Sequence, residues 1–161
     1  MTTRTNEAPQ PLARPLIKTF WKLHRAVYRI TGGRFGLQRP EAGAKFGMLR
    51  VHTVGRHSGK RRVTMIGYFA DGENLVTLAM NGWGSSDPAW WLNLQAQPLA
   101  TVDLPDGTRR VRARAATGAE RDRLWATFAQ YPGWGADIGA LASTRSFQTA
   151  VVVFEPEKEI N

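Results

Sequence analysis

A basic turn bracketed by two glycines is the part of the chain whose residue types are best suited to chemistry. Gly55 and Gly59 enclose a cation-rich stretch between two segments that alternate like β-strands. Glycine lets backbone N–H groups curl into a concave nest, and such nests hold anions. The side chains of the turn add further donors: Arg56, His57, Ser58, Lys60, Arg61 and Arg62. The pattern predicts a phosphate or polycarboxylate site, with a solvated hairpin turn as the alternative.

The residue types do not indicate a P-loop, a metal site or a hydrolytic active site. No G-x-x-x-x-G-K-[ST] run occurs, so the turn is not a P-loop. The chain has no cysteine, and its three histidines (His24, His52 and His57) lack metal-ligand spacing, so we expect no metal. No Ser/His/Asp arrangement or pair of carboxylates competes with the turn.

The positive charge is concentrated in the first part of the chain. The formal net charge is +9, but residues 1–62 hold 14 Lys and Arg against Glu7 and Glu41, a net of +12. A nucleic acid, an anionic membrane surface or an anionic cofactor each suits such a region. Zinc-finger spacing and RNA-binding aromatic signatures are missing, so we expect no nucleic-acid partner. With no secretory signal or apolar run of membrane-spanning length, we expect a cytoplasmic protein.

The chain divides into three regions with different patterns, and the third region contains the basic turn. Residues 1–15 carry three prolines and are predicted to be flexible. Residues 16–30 have apolar side chains at steps of three and four with cations on another face, which predicts an amphipathic helix that ends by residue 33. This helix either packs on the domain or lies on the inner face of the cell membrane. Residues 34–161 are predicted to form one domain.

Short strands and helices make up that domain. Strands are predicted over residues 48–54, 62–69, 74–80, 100–104, 109–116 and 149–154. In the fifth strand, Arg110, Arg112 and Arg114 alternate with Val111, Ala113 and Ala115, which predicts one solvated and one buried face. A helix over residues 89–96 follows Asp87 as N-cap and Pro88 at the first helical position. A second helix is expected to run to about Tyr131 after a capping box of Thr117 and Glu120. The predicted fold is α+β: a small, mostly antiparallel barrel with peripheral helices.

Two motifs in this domain resemble those of the deazaflavin-dependent nitroreductase and quinone reductase family. They are the run from Gly55 to Arg62 and the later run from Pro88 through Trp90, Trp91 and Asn93 to Pro98. Looser similarity continues through Tyr131-Pro132-Gly133 to the last strand. Members of the family are actinobacterial split β-barrel (FMN-binding-like) oxidoreductases that use coenzyme F-420, with FMN the less expected cofactor here.

The resemblance implies a set of cofactor-binding positions. The cofactor has a deazaflavin ring, a ribityl phosphate and an acidic polyglutamyl tail. Arginines and the free N–H groups at a helix start suit its anionic part, and indoles suit its ring, although indoles at helical spacing also form cores. By resemblance, the contacting residues are Arg56, His57, Ser58, Arg62, Val63, Thr64, Met65, Ile66, Gly67, Leu78, Ala79, Met80, Asn81, Ala89, Trp90, Trp91, Leu92 and Asn93.

The chain departs from the family pattern at several positions. His57 replaces a lysine, Met80-Asn81 replaces Ser-Lys, Trp91 replaces a tyrosine, and Gly67 stands where a tyrosine occurs. Trp134 and Asp137 stand where substrate-pocket tyrosines are found. These departures argue against nitroimidazole activation.

The implied activity is hydride transfer from the reduced coenzyme to a quinone-like or other conjugated acceptor. Trp83, Trp91 and Trp134 are expected to line the acceptor's pocket, and Tyr131 or Ser58 to supply a proton. Two alternatives stay open: a non-catalytic binder of a flavin-like anion, and a basic module that binds membranes or nucleic acid.

Overall fold

The computed structural model describes residues 36–80, 86–132, 138, 143 and 148–158. From Leu37 onwards these residues belong to one compact unit. The predicted helix over residues 16–30 and the predicted loop residues 81–85 lie outside the described part of the chain. Among the described residues, no helix has the length and apolar character needed to cross a membrane.

The domain has six antiparallel strands: β1 (Gly47–Val54), β2 (Arg61–Asp71), β3 (Asn74–Leu78), β4 (Leu99–Leu104), β5 (Gly107–Ala115) and β6 (Val151–Pro156). They close into a barrel in the order β1-β2-β3-β6-β5-β4. Helix α1 spans Ala89–Ala96 between β3 and β4, and helix α2 spans Gly118–Phe128 between β5 and β6. The predicted α+β class and antiparallel barrel are confirmed.

Two apolar cores lie on opposite faces of β3 and β6. The main core takes alternate side chains from all six strands, such as Leu75 and Phe154, and α1 adds Trp90 and Trp91 to it. The second core uses the other face of the same strands, including Val76, and α2 covers that face. Because successive strand residues point to opposite faces, one strand can serve both cores.

The predictions for the two ends of α2 and for the end of β5 are wrong. Thr117 is the N-cap of α2 but makes no side-chain capping bond, so the predicted capping box does not form. The Glu120 carboxylate accepts two hydrogen bonds from Arg114 instead, at 2.7 and 2.8 Å. The helix ends at Phe128 rather than near Tyr131. Ala115 is exposed and its neighbour Ala116 is buried, so the predicted alternation breaks where β5 ends.

The N-cap of α1 lies one residue later than predicted. Pro88, rather than Asp87, is the N-cap, with an extended backbone, and its carbonyl accepts from Trp91 N–H at 3.0 Å. Proline suits this position because it has no N–H of its own to satisfy. The helix therefore begins at Ala89, as predicted.

Candidate functional site

The basic turn is a closed loop between β1 and β2 that needs both of its glycines. Gly55 N–H donates to the Lys60 carbonyl and Gly59 N–H donates to the Gly55 carbonyl, each at 2.8 Å. Gly59 has φ +65°, which favours glycine. A Cβ at Gly55 would lie 2.6 Å from Ser58 Oγ and 3.3 Å from the Lys60 carbonyl oxygen. The loop is therefore compact, and it presents its cationic side chains outward.

A buried amide joins the turn to the start of α1. Asn93 is 4% exposed, and its Oδ1 accepts from the Arg56 backbone N–H at 3.1 Å and from Arg56 Nη1 at 3.3 Å. Its Nδ2 donates to Thr53 Oγ1 at 3.2 Å, and Thr53 is also buried. Since three of its hydrogen bonds go to the protein, Asn93 fixes the position of Arg56 relative to the helix.

A cavity of about 430 Å³, which we call the hairpin cavity, opens between the turn and the start of α1. Arginine, histidine and serine side chains stand on the turn side, and the first turn of α1 provides the opposite wall. The first N–H groups of a helix have no intrahelical partner and attract anions. The residues that line the cavity are Gly55, Arg56, His57, Ser58, Arg62, Val63, Thr64, Ala89, Trp90 and Asn93.

Nine of the residues expected to bind a cofactor therefore meet at one cavity, and the other expected residues that the structure describes do not line it. Met65, Ile66 and Gly67 follow farther along β2, while Leu78, Ala79 and Met80 lie at the end of β3. Leu78 and Ala79 are buried in the two cores, and the Gly67 carbonyl accepts a hydrogen bond from Thr77. Leu92 is half-buried on α1, and Asn81 is outside the described residues.

The two adjacent indoles of α1 have different positions. Both are 5% exposed in the main core, with ring centroids 6.3 Å apart. Trp90 also lines the hairpin cavity and lies 6.5 Å from the ring of Phe154. Trp91 does not line that cavity. Trp91 is therefore a core residue, which was the alternative to a cofactor contact, whereas Trp90 belongs to both the core and the cavity wall.

Only one of the two expected proton donors stands at the cavity. Ser58 lines it and accepts from Lys60 N–H through Oγ at 3.3 Å. Tyr131 is buried in the second core, where its ring stacks on Phe69 at 5.4 Å. The expected pocket residues Trp83 and Trp134 lie outside the described residues. In the part of the chain that is described, no cluster of His, Asp and Glu is grouped to hold a metal ion.

Two residues of this site are not among the expected cofactor contacts. Gly55 lines the cavity as well as closing the turn. Thr53 supports Asn93 from a strand 40 residues away in sequence. The turn pattern pointed to Gly55, whereas no local signal singled out Thr53.

A second polar network lies on the outer face of β1, β4 and β5. Asp103 Oδ2 accepts from Arg50 Nε and lies beside His52 Nε2, each at 2.6 Å, while its Oδ1 accepts from Thr108 at 2.8 Å. Desolvation raises the pKa of this carboxyl, but the hydrogen bonds from His52, Thr108 and Arg50 outweigh it and lower the pKa to about 2. The strand register, which pairs Asp103 with Arg50 and with Thr108, explains this grouping.

Solved structures with the same architecture define the fold first. A structure described as a domain-swapped dimer aligns with 88% of this chain and 99% of its own, with TM-score 0.62 and 22% identity. A structure of an F420-H2 dependent reductase aligns with 67% of this chain and 93% of its own, with TM-score 0.58 and 23% identity.

The sequence match is more specific than the fold. The family model for F420H(2)-dependent quinone reductase matches residues 20–156, so the chain belongs to that family. An F420H(2)-dependent quinone reductase of Mycobacterium tuberculosis is 32% identical over 106 residues, which are 65% of this chain and 69% of that protein. The expected family, the enzyme class of F420-dependent reductase and the coenzyme F420 are thereby confirmed.

The hairpin cavity fits the anionic part of that coenzyme. Arg56 and Arg62 offer forked donors suited to phosphate, and Ser58 and His57 add polar atoms beside them. The N–H groups at the start of α1 complete a set of donors from two sides. The indole of Trp90 gives the same cavity an apolar wall.

Proposed function

We propose that this F420-dependent oxidoreductase reduces a quinone-like or other conjugated acceptor and binds its coenzyme at the hairpin cavity. The observation that carries the proposal is the cavity itself, in which Arg56 and Arg62 face the start of α1. When bound, the reduced coenzyme supplies the hydride. The name of the family model and of the M. tuberculosis relative supports a quinone as the acceptor.

In this proposal the residues of the chain bind and orient rather than react. Arg56 and Arg62 hold the phosphate, and the N–H groups of Ala89 and Trp90 approach it from the helix side. Asn93 keeps Arg56 in place through the two hydrogen bonds that its Oδ1 accepts. The remaining expected contacts, from Met65 to Gly67 and from Leu78 to Asn81, are assigned to the ring end of the coenzyme.

Neither of the two expected proton donors is assigned to the ring end of the coenzyme. Ser58 lines the hairpin cavity, where the phosphate is placed, and the ring of Tyr131 is buried against Phe69 in the second core. Ser58→Ala is therefore expected to weaken coenzyme binding more than Tyr131→Phe. Trp83 and Trp134 remain the proposed walls for the acceptor.

Turnover separates this proposal from non-catalytic binding of the coenzyme. Reduced coenzyme is mixed with enzyme and menadione, and the recovery of deazaflavin absorbance is followed. We expect enzyme-dependent oxidation that saturates with menadione. Tight coenzyme binding without any acceptor reduction would leave only the binding function.

A location at the membrane surface is proposed for the basic amphipathic segment at residues 16–30. Its support is the sequence pattern of cations beside apolar and aromatic side chains. Co-sedimentation with anionic liposomes compares the full chain with a chain that starts at Gly33. We expect only the full chain to sediment, and equal binding of both would remove the membrane assignment.

A further inference from the structure

Thr53 is a buried threonine near the end of β1 that does not line the hairpin cavity. Its backbone stands opposite Arg62 in the β1–β2 register, so it is the strand partner of one cavity arginine. Its side chain accepts a hydrogen bond from Asn93 Nδ2 at 3.2 Å, and Asn93 Oδ1 in turn accepts from the other cavity arginine, Arg56. The same residue is therefore connected to both arginines.

Asn93 is the residue that holds the Arg56 side chain in place. Among the described residues, the Arg56 guanidinium has no ion pair, and its hydrogen bond is the 3.3 Å contact from Nη1 to Asn93 Oδ1. Arg56 is also exposed, so packing against the protein restrains it little. The direction of the guanidinium consequently depends on where the Asn93 oxygen lies.

The hydroxyl of Thr53 determines where that oxygen lies, because the two ends of an amide move together. Asn93 is 4% exposed, and a buried amide N–H without an acceptor is costly. Thr53 Oγ1 satisfies Nδ2 on the β1 side, which leaves Oδ1 facing the turn. Without the hydroxyl, the amide NH2 group has to turn towards another acceptor, and Oδ1 turns away from Arg56 with it.

We propose that Thr53 is a positioning residue for coenzyme binding. Through Asn93, its hydroxyl holds Arg56 in the direction in which the guanidinium meets the phosphate in the hairpin cavity. This role rests on the proposed function, which places the phosphate there. Thr53 does not contact the coenzyme in this role, since its effect passes through two hydrogen bonds and ends at Arg56.

Coenzyme affinity in variants of Thr53 tests the proposal. Thr53→Val removes the hydroxyl and keeps the shape of the side chain, whereas the matched control Thr53→Ser keeps the hydroxyl. In fluorescence titration with oxidised coenzyme, we expect binding to be about threefold to tenfold weaker in Thr53→Val and within about twofold of the wild type in Thr53→Ser. In an Arg56→Ala background, Thr53→Val should weaken binding by less than about twofold, because the two residues act in one chain.

Turnover distinguishes a positioning role from a loss of folded enzyme. With menadione as acceptor, Thr53→Val should raise the KM for reduced coenzyme and leave kcat within about twofold of the wild type. A smaller fraction of folded enzyme would lower kcat and leave KM unchanged. Thr53→Ser should restore the wild-type KM.

Amide hydrogen exchange in the free protein tests the chain of hydrogen bonds apart from the coenzyme. The Arg56 N–H donates to Asn93 Oδ1, so it should exchange about tenfold faster in Thr53→Val and at the wild-type rate in Thr53→Ser. The Gly59 N–H donates to the Gly55 carbonyl in the same turn and should exchange at an unchanged rate in both variants. An equal acceleration at Gly59 would mean that the whole turn loosens, and it would overturn the proposal.

Wild-type affinity in Thr53→Val, or an equal loss of affinity with and without the Arg56 side chain, also overturns the proposal. If Thr53→Val does not fold, Thr53→Ala takes its place with the same expectations. Failure of the wild type to bind coenzyme would refute the proposed function instead, and the exchange rate of the Arg56 N–H then decides the positioning role alone.

Discussion

Replacing Asn93 with aspartate places a negative charge at the hairpin cavity while changing the shape of the site very little. The aspartate retains an oxygen that accepts from Arg56, and the Thr53 hydroxyl is able to turn and donate to the other oxygen. We therefore expect the fold and the position of the turn to persist. The charge of the cavity changes, because the new carboxylate offsets the positive charge of Arg56 and repels a bound phosphate.

The size of the effect follows from Coulomb's law. Two unit charges about 7 Å apart interact by about 2.4 kcal/mol at an effective dielectric constant of about 20. Salt and the open cavity reduce this energy to about 1–2 kcal/mol, which corresponds to about 5-fold to 30-fold weaker coenzyme binding. Asn93→Ala should weaken binding for another reason, since it releases Arg56, and it should also lower stability by about 1–3 kcal/mol.

Fluorescence titration with oxidised coenzyme at low and high salt measures this effect. Gln95→Glu is the matched control, because Gln95 is exposed on the same helix, does not line the cavity and undergoes the same amide-to-acid change. The control should bind coenzyme within about twofold of the wild type, and salt should narrow the difference for Asn93→Asp. Wild-type affinity in Asn93→Asp, or an equal loss in Gln95→Glu, would refute the assignment of the anion to this cavity.

Three further predictions concern stability. The pKa of Asp103 is about 2 in the folded protein, below its ordinary value of 3.8, so the stability that this carboxylate contributes is present above about pH 4 and is lost as the pH falls towards 2. In urea unfolding, Asp103→Asn should be less stable than the wild type by about 1–2 kcal/mol at neutral pH, and the difference should close in acid. A difference that stays constant with pH would contradict this prediction. Gly47→Ala should lower the melting temperature and the unfolding free energy by about 1–3 kcal/mol, because the added Cβ would lie 2.5 Å from the buried ring of Tyr68, and an unchanged melting temperature would be the contrary result. Glu120→Gln should cost about 0.5–1 kcal/mol by weakening a half-exposed pair with Arg114, and if that pair is responsible, the same substitution in an Arg114→Gln background should cost much less.

The elements of the fold were largely predictable because local signals mark their ends. Helix α1 has its predicted bounds, since Pro88 and Pro98 stand on either side of it. The Asp71-Gly72 turn similarly marks the end of β2 and the start of β3. The predicted capping box fails at Glu120, because its carboxylate is bound by Arg114 of β5, which also donates to Glu155 of β6. Sequence spacing carries no information on such competition.

The candidate site was predictable in its donors but not in its organisation. The residue types of the turn indicated an anion, and the family motif added the start of α1. The hydrogen bonds that join them link Thr53, Asn93 and Arg56 across 37 and 40 positions of the chain, so only the closed barrel brings them together. The buried position of Tyr131 was likewise invisible, because it depends on how α2 packs over Phe69.

The most direct test of the coenzyme site is the affinity for oxidised coenzyme F420 of the double variant Arg56→Ala, Arg62→Ala. Both side chains line the hairpin cavity, and the pair Arg109→Ala, Arg112→Ala serves as a control of equal charge on exposed positions of β5. Fluorescence titration should give micromolar or tighter binding to the wild type and the control, and loss of about 100-fold or more in the double variant. Binding by the double variant as tight as that of the control would contradict the account.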